Sequence, residues 1–316
     1  MGAEKKVAAD MTLWKTLKAV SIVGLPAIGL GFSGQLYAAR YTAIVQGLSG
    51  DPYYQRHFDN QSEQLAAATQ NLPGVQLKLF QGDGANKSAL LAWLQQLQTQ
   101  LGAADQLVIY YIGHGSDDGQ HYKFNLSGPD LTGEELKAVL EQSGAGYLLL
   151  VNTSSASGAL LESFADSKVN LITATRSGAE RNATRFGRFL AEGLSSTAAD
   201  LDKNQSISAQ ELFAFAERET QAYYQQQGLL ATEHAQQQGK AMDRLELARL
   251  SVNTAQDDPQ LQQLFTERDE LDQRIDALRL ARIGMTDNDY LEAYQQLMLE
   301  LAQLQTRIDQ RQEALQ

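Results

Sequence analysis

Tyr147-Leu148-Leu149-Leu150-Val151-Asn152-Thr153-Ser154-Ser155-Ala156-Ser157-Gly158 is the stretch whose reading decides the fold. Its apolar half is too short for a helix and unbroken by polar residues, so it reads as a strand buried on both faces, and the small polar residues after it read as an exit loop. The pattern occurs once more upstream, where Leu107-Val108-Ile109-Tyr110-Tyr111-Ile112 runs into Gly113-His114-Gly115-Ser116. Two such strands belong side by side in an open α/β sheet, which gathers its chemistry at the carboxyl ends of the strands. Neighbouring strands lie about 4.8 Å apart, so His114 and Ser155 are expected to meet there as base and nucleophile.

The flanking segments alternate in the same way. Residues 41–46 read as a strand, 58–69 as a helix, 76–80 as a strand, and 87–101 as an amphipathic helix carrying Leu90, Leu91, Leu94, Leu97 and Leu101. After 107–112 come a short strand near 122–126 and a helix over 133–142 with Thr132 as its N-cap. A helix over 159–165, a strand over 170–174 and a helix over 184–194 complete the series. Repeated strand-helix-strand units predict a mostly parallel sheet with helices on both faces.

The residues also carry a resemblance. Tyr110-Tyr111-Ile112-Gly113-His114-Gly115-Ser116, followed by a strand and a small-residue Ser-Gly loop, resembles the legumain-type (C13-like) family of the caspase-like cysteine peptidases. Upstream, the strand at 41–46, Gly47-Leu48-Ser49-Gly50 and the pair Arg56-His57 are similar to that family's opening, and Asn170 to Thr175 resembles the strand after the catalytic one. The resemblance spans residues 40–235 and implies a caspase-like three-layer sandwich. Aligned on Ser157-Gly158, the family's Ala-Cys-Glu-Ser-Gly segment falls on 154–158. The resemblance thus implies Ser155 at the nucleophile position, Thr153 where the family has an acidic residue of its asparagine pocket, and Arg56 at a retained pocket arginine.

A serine hydroxyl is a far weaker nucleophile than a thiolate unless a base, an orienting group and an oxyanion hole serve it. Two readings follow: a degenerate peptidase that binds or scaffolds, or a hydrolase of peptides or esters. The second uses Ser155 as nucleophile, His114 as base and N–H groups near Gly115 and Ser155 as oxyanion donors.

With 316 residues the chain has room for one large domain and an accessory. A net charge of −12 and the lack of clustered Lys and Arg beyond the N-terminus argue against nucleic acid as partner. Lys15 and Lys18, the apolar stretch 20–32 and the small residues of Leu36-Tyr37-Ala38-Ala39 read as a signal peptide over 1–39, or as an uncleaved anchor that would be the chain's one contact with a membrane. Either places the folded part outside the cytoplasm, in the periplasm, and the absence of cysteine is compatible with that.

Asp200 to Glu211 matches a twelve-residue EF-hand calcium loop. Asp200, Asp202, Asn204 and Ser208 supply oxygens at positions 1, 3, 5 and 9, Ser206 its backbone carbonyl at position 7, and Glu211 a carboxylate at position 12. The usual glycine at position 6 is Gln205, which must then take a positive φ at a cost of about 1 kcal/mol. Ser208 and Glu211 also form a capping box that would start a helix without any metal, but a cap leaves Asp200, Asp202 and Asn204 unexplained.

Residues 236–256 read as a linker or helix. Residues 257–316 read as an antiparallel coiled-coil hairpin. Its first helix carries Leu261, Leu264, Leu271, Ile275 and Leu278, interrupted by Arg268. Its second, with Asp287 as N-cap, carries Leu291, Tyr294, Met298, Leu301, Leu304, Ile308 and Leu315. A two-helix pair buries little by itself, so the seam is expected to be completed by the main domain, by a second copy or by another protein.

Overall fold

The computed structural model describes residues 38–250 and 258–315. The leader or anchor expected over 1–39 lies outside them apart from Ala38 and Ala39. In chain order the elements are β1 (Arg40–Gln46), α1 (Pro52–Thr69), β2 (Val75–Phe80), α2 (Lys87–Gln98), β3 (Gln106–Ile112), β4 (Gly115–Asp117), β5 (Tyr122–Phe124), β6 (Leu131–Thr132), α3 (Gly133–Leu140) and β7 (Tyr147–Asn152). They continue with α4 (Leu160–Ser163), β8 (Asn170–Thr173), α5 (Phe186–Gly193), β9 (Ser206–Ser208), α6 (Ala209–Gln226), β10 (Gln236–Gln238), β11 (Glu246–Arg249), α7 (Pro259–Ala281) and α8 (Asp287–Glu313).

The main sheet runs β10-β8-β7-β3-β1-β2, all parallel except β10, which is antiparallel to β8. Strand period two sorts its side chains between two cores. Ile44, Val108, Tyr110, Leu149 and Val151 meet Phe58 and Leu65 of α1, Leu190 of α5 and Leu212 of α6. Ala43, Val45, Ile109, Tyr111 and Leu150 meet Leu90 and Leu94 of α2 and Leu136 of α3. Helices therefore cover both faces, as the alternating pattern predicts, and β3 is buried along its whole length. The chain leaves β1 for β2 on one side and returns through α2 to β3 on the other. The strand order thus reverses beside β1, and the crevice at the carboxyl ends of β1 and β3 is the switch point where such sheets bind ligands.

Several boundaries differ from the sequence reading. Helix α1 begins at Pro52 rather than near 58, because Asp51 accepts from the N–H groups of Tyr53 and Tyr54 and Pro52 supplies a preset φ; Arg56 and His57 are thus helical. Residues 236–249 hold no helix. Gln236–Gln238 closes the sheet edge, and Glu246–Arg249 pairs antiparallel with β9, so the α/β body extends past residue 235. Asn170 clamps this closure, donating from Nδ2 to Leu148 O (2.9 Å) and accepting from Ala241 N–H (3.0 Å).

Helices α7 and α8 pack on each other around Leu261, Leu264, Phe265, Leu271, Ile275, Leu297, Leu304 and Ile308. Arg274–Glu300 (2.8 Å) and Arg307–Glu267 (3.0 Å) pair their outer faces in antiparallel order. Thr286, not Asp287, caps α8: its extended backbone brings Oγ1 within 3.2 Å of the Asp289 N–H, which leaves Asp287 as the first helical residue. Leu291, Met298 and Leu315, expected in the seam, are exposed, because Leu297, Leu304 and Ile308 occupy that face.

Candidate functional site

The site grows from the tips of β1, β3 and β7. Registered neighbours β3 and β7 deliver Gly113-His114-Gly115 and Thr153-Ser154-Ser155 to the same sheet edge. Gly115 is required by close approach, since a Cβ there would lie 2.4 Å from Tyr122 Oη and 2.5 Å from Ser154 Oγ. Gly158 is required in the same way, with Ser177 N 2.1 Å from where its Cβ would be.

His114 and Ser155 come to this edge without a hydrogen bond between them among the described residues. The His114 ring sits edge-on to Tyr54 and Phe58, and its Nε2 donates to Ser49 O at 3.1 Å. That bond assigns the second proton-binding nitrogen, Nδ1, as the ring's basic position in the neutral form. Ser155 Oγ donates to Gly115 O at 3.0 Å, so its proton rests on a carbonyl rather than on a base. Gly115 faces Phe124 as a non-hydrogen-bonded pair, bracketed by the Asn125 N–H to His114 O bond, so its own N–H points out of the β4–β5 ladder.

Behind Ser155 lies a closed polar ring. Asn152 Nδ2 donates to Tyr122 Oη (2.7 Å), Tyr122 shares its proton with Ser154 Oγ (2.6 Å), and Ser154 Oγ donates to Asn152 Oδ1 (2.8 Å). All three side chains are buried, and burial pushes the Tyr122 hydroxyl up to about 12 against the pull of Ser154 and Asn152. Ala156 takes the left-handed conformation (φ 57°), and its N–H donates to Glu180 O at 2.8 Å. The Glu180 carboxylate is bonded in turn to His234 Nδ1 at 2.6 Å. Neither the ring nor Glu180 was visible in the sequence, since Tyr122 on β5 lies 30 residues from Asn152 and no spacing links the two.

The two residues expected to bind substrate sit on different elements, Arg56 on α1 and Thr153 just past β7. Thr153 is buried, and its Oγ1 turns back to donate to Tyr111 O at 2.8 Å. Arg56 is exposed on α1, with no ion pair or hydrogen bond to Thr153 among the described residues.

The segment Asp200–Glu211 leads from the turn after α5 through β9 into the first turn of α6. Carboxylate oxygens of Asp200, Asp202 and Glu211 all lie within 4.8 Å of one another. Glu211 accepts from the N–H groups of Leu201 (3.0 Å) and Ser208 (2.9 Å), while Asp200 accepts from those of Asn204 (3.1 Å) and Gln205 (2.9 Å). Burial raises the carboxyl groups of Asp200 and Asp202, and the neighbouring carboxylates add to it. Gln205 has φ 64°, the positive value the sequence demanded, and Ser206 donates its hydroxyl to Glu246 (2.9 Å). Ser208 completes a capping box with Glu211. This donor set, hard oxygens around a surplus of negative charge, fits a calcium ion.

Among solved structures, protein GSU0716 from Geobacter sulfurreducens covers 68% of this chain and 100% of its own at 13% identity and a TM-score of 0.46. The Drosophila initiator caspase Dronc covers 66% of this chain and 81% of its own at 10% identity and a TM-score of 0.42. None of the curated proteins matches. The model of the peptidase C13 family matches residues 74–244, more than half of the chain and inclusive of both His114 and Ser155, and the protein belongs to that family.

Proposed function

We propose that this chain is a catalytically degenerate member of the peptidase C13 family, an exported domain stabilised by calcium that binds or scaffolds another protein. The observation that carries the reading is the state of Ser155. Its hydroxyl gives its proton to Gly115 O and none to His114, and no thiol exists anywhere in the chain to replace it. Thr153 supports the same view, because it carries no charge, is buried and gives its hydroxyl proton to Tyr111 O. The exposed Leu291, Met298 and Leu299 of α8 are the surface through which a partner or a second copy would dock.

A second reading, a serine hydrolase, is favoured by one feature: Ser49 O orients the His114 ring and leaves Nδ1 available as a base. Incubation with a serine-reactive phosphonate, read by intact mass, separates the two. The degenerate reading expects no adduct. Stoichiometric labelling at Ser155 that disappears in His114→Ala would establish the hydrolase instead.

Calcium is tested by thermal melts with the ion and with chelator. Binding at a hundredfold excess over Kd stabilises by about 2.7 kcal/mol. Equal midpoints in the two conditions, or a response that survives in Glu211→Gln, would leave Asp200–Glu211 as a capping loop alone.

A further inference from the structure

The segment 180–185 runs beside the tip of β7 and is fastened to it at both ends. The Ala156 N–H donates to Glu180 O (2.8 Å), and Thr184 Oγ1 donates to Thr153 O (2.5 Å). Ser155 lies between those anchor points, so the residues that follow the anchors, Arg181 and Arg185, come to either end of the loop that holds it. Arg176 and Arg188, just outside the segment, pair with Glu180 (3.0 Å) and Glu192 (2.8 Å). Arg181 and Arg185 form no ion pair among the described residues. Arg181 is exposed and donates to two backbone carbonyls, Gly178 O (3.4 Å) and Asp117 O (3.3 Å). Arg185 lies over the Tyr223 ring (5.8 Å) and faces the Tyr53 hydroxyl, so neutral groups set its direction. The acidic groups nearby are engaged elsewhere: Glu180 also with His234 (2.6 Å), Asp117 with the Gly119 N–H (3.2 Å), and Glu233 with the N–H groups of Arg185 and Phe186.

We infer that this edge of the site receives an acidic peptide segment of a partner protein, whose carboxylates are met by Arg181 and Arg185. The inference rests on the protein-binding reading given above and names the chemistry of what is bound. In a chain of net charge −12 most of the surface repels such a segment, which confines attraction to this edge and orients the encounter. The planar fork of a guanidinium matches a carboxylate through two N–H groups, and one already oriented by a ring loses little freedom on binding. An asparagine would need an acceptor for its amide protons, and the family's acidic position holds the neutral, buried Thr153. Nucleic acid presents phosphates in a long row, of which two arginines in an acidic chain neutralise only a short stretch.

The test pans a randomised heptapeptide library, displayed on phage, against the immobilised full chain, and titrates the enriched peptide into parent and variants. Enrichment in Asp and Glu is expected, with an affinity that falls as salt rises. Arg185→Gln should weaken binding about tenfold, the contribution of one charge-assisted hydrogen bond. Arg181→Gln should do the same while leaving the packing on Tyr223 intact, which keeps the test valid if Arg185→Gln disturbs the fold. Arg185→Lys keeps the charge without the fork and should lose less. Enriched peptides free of Asp and Glu would overturn the acidic class and leave the protein-binding reading standing. Acidic peptides that bind the double Gln variant as tightly as the parent would overturn the role of the two arginines. Displacement of the peptide by an equal concentration of single-stranded oligothymidylate would assign the edge to nucleic acid instead. A library that yields no binder would overturn the inference together with the reading it rests on.

Discussion

Glu246→Gln removes one charge at a junction of four segments and should cost about 3 kcal/mol at pH 7. Glu246 pairs with Arg40 at the start of β1 (2.7 Å) and with Arg249 on its own strand (2.5 Å), and accepts from Ser206 in the segment Asp200–Glu211 (2.9 Å). Burial alone would raise its carboxyl; Arg249 and Arg40 overcome that and hold it down to about 2. The unfolded value is close to 4.5, and each unit is worth about 1.4 kcal/mol, which gives the figure of about 3. Removing one partner of a buried pair costs a similar amount, since Arg249 and Arg40 would both lose the carboxylate they bond. The sign follows from a depressed carboxylate: the contribution is complete above the unfolded pKa and is lost as pH falls through the folded one. Urea unfolding of parent and variant at pH 7 and pH 3 should therefore give a difference at pH 3 less than half of that at pH 7. A difference below 1 kcal/mol at pH 7, or one that does not change with pH, would refute the assignment.

Glu233 is a buried carboxylate at the start of α5, accepting from the N–H groups of Arg185 (2.6 Å) and Phe186 (3.0 Å). Glu233→Ala strips that cap and leaves buried donors unmet, so a loss of about 1–3 kcal/mol in urea unfolding is expected. Burial raises the Glu233 carboxyl, so its contribution to stability falls as pH rises through the window above 4.5, and the Glu233→Gln variant should lose that slope. At the loop, Gln205→Gly removes the side chain that opposes φ 64° and should raise the melting midpoint in chelator by an amount equivalent to up to about 1 kcal/mol. An unchanged or lower midpoint would mean that the Gln312 contact outweighs the strain.

The parts of the fold that were legible in sequence are those whose surroundings are uniform. Buried on both faces, β3 and β7 show unbroken apolar runs, and α2 shows its stripe because one side alone is buried. β10 was not legible: Gln236-Gln237-Gln238 has no strand composition and is a strand because β8 offers it an open edge. β11 is fixed likewise by tertiary pairing, with Glu246 and Arg249 bonded to each other across a bulged register. At the site, the glycine-flanked His114 and the strand-end Ser155 were legible as candidates because side-chain identity marks them. Their actual partners, Ser49 O and Gly115 O, are backbone carbonyls, and every residue carries one. Arg268 announced itself as a break in a stripe, but its partner Asn204 lies 64 residues away and nothing in either segment names the other.

The late strand at the sheet's edge has a consequence for how the protein is made. During synthesis β8, whose four residues are all buried in the finished protein, must wait for β10, sixty-odd residues further along the chain. At about 5–20 residues per second that interval is roughly 3–13 s. For that time the backbone edge of Asn170–Thr173 is an open template next to a finished parallel sheet, and another nascent chain can pair with it as readily as the proper strand. The three glutamines, apolar to nothing and charged for nothing, then act as a seal whose lateness sets the most aggregation-prone moment in the life of the molecule.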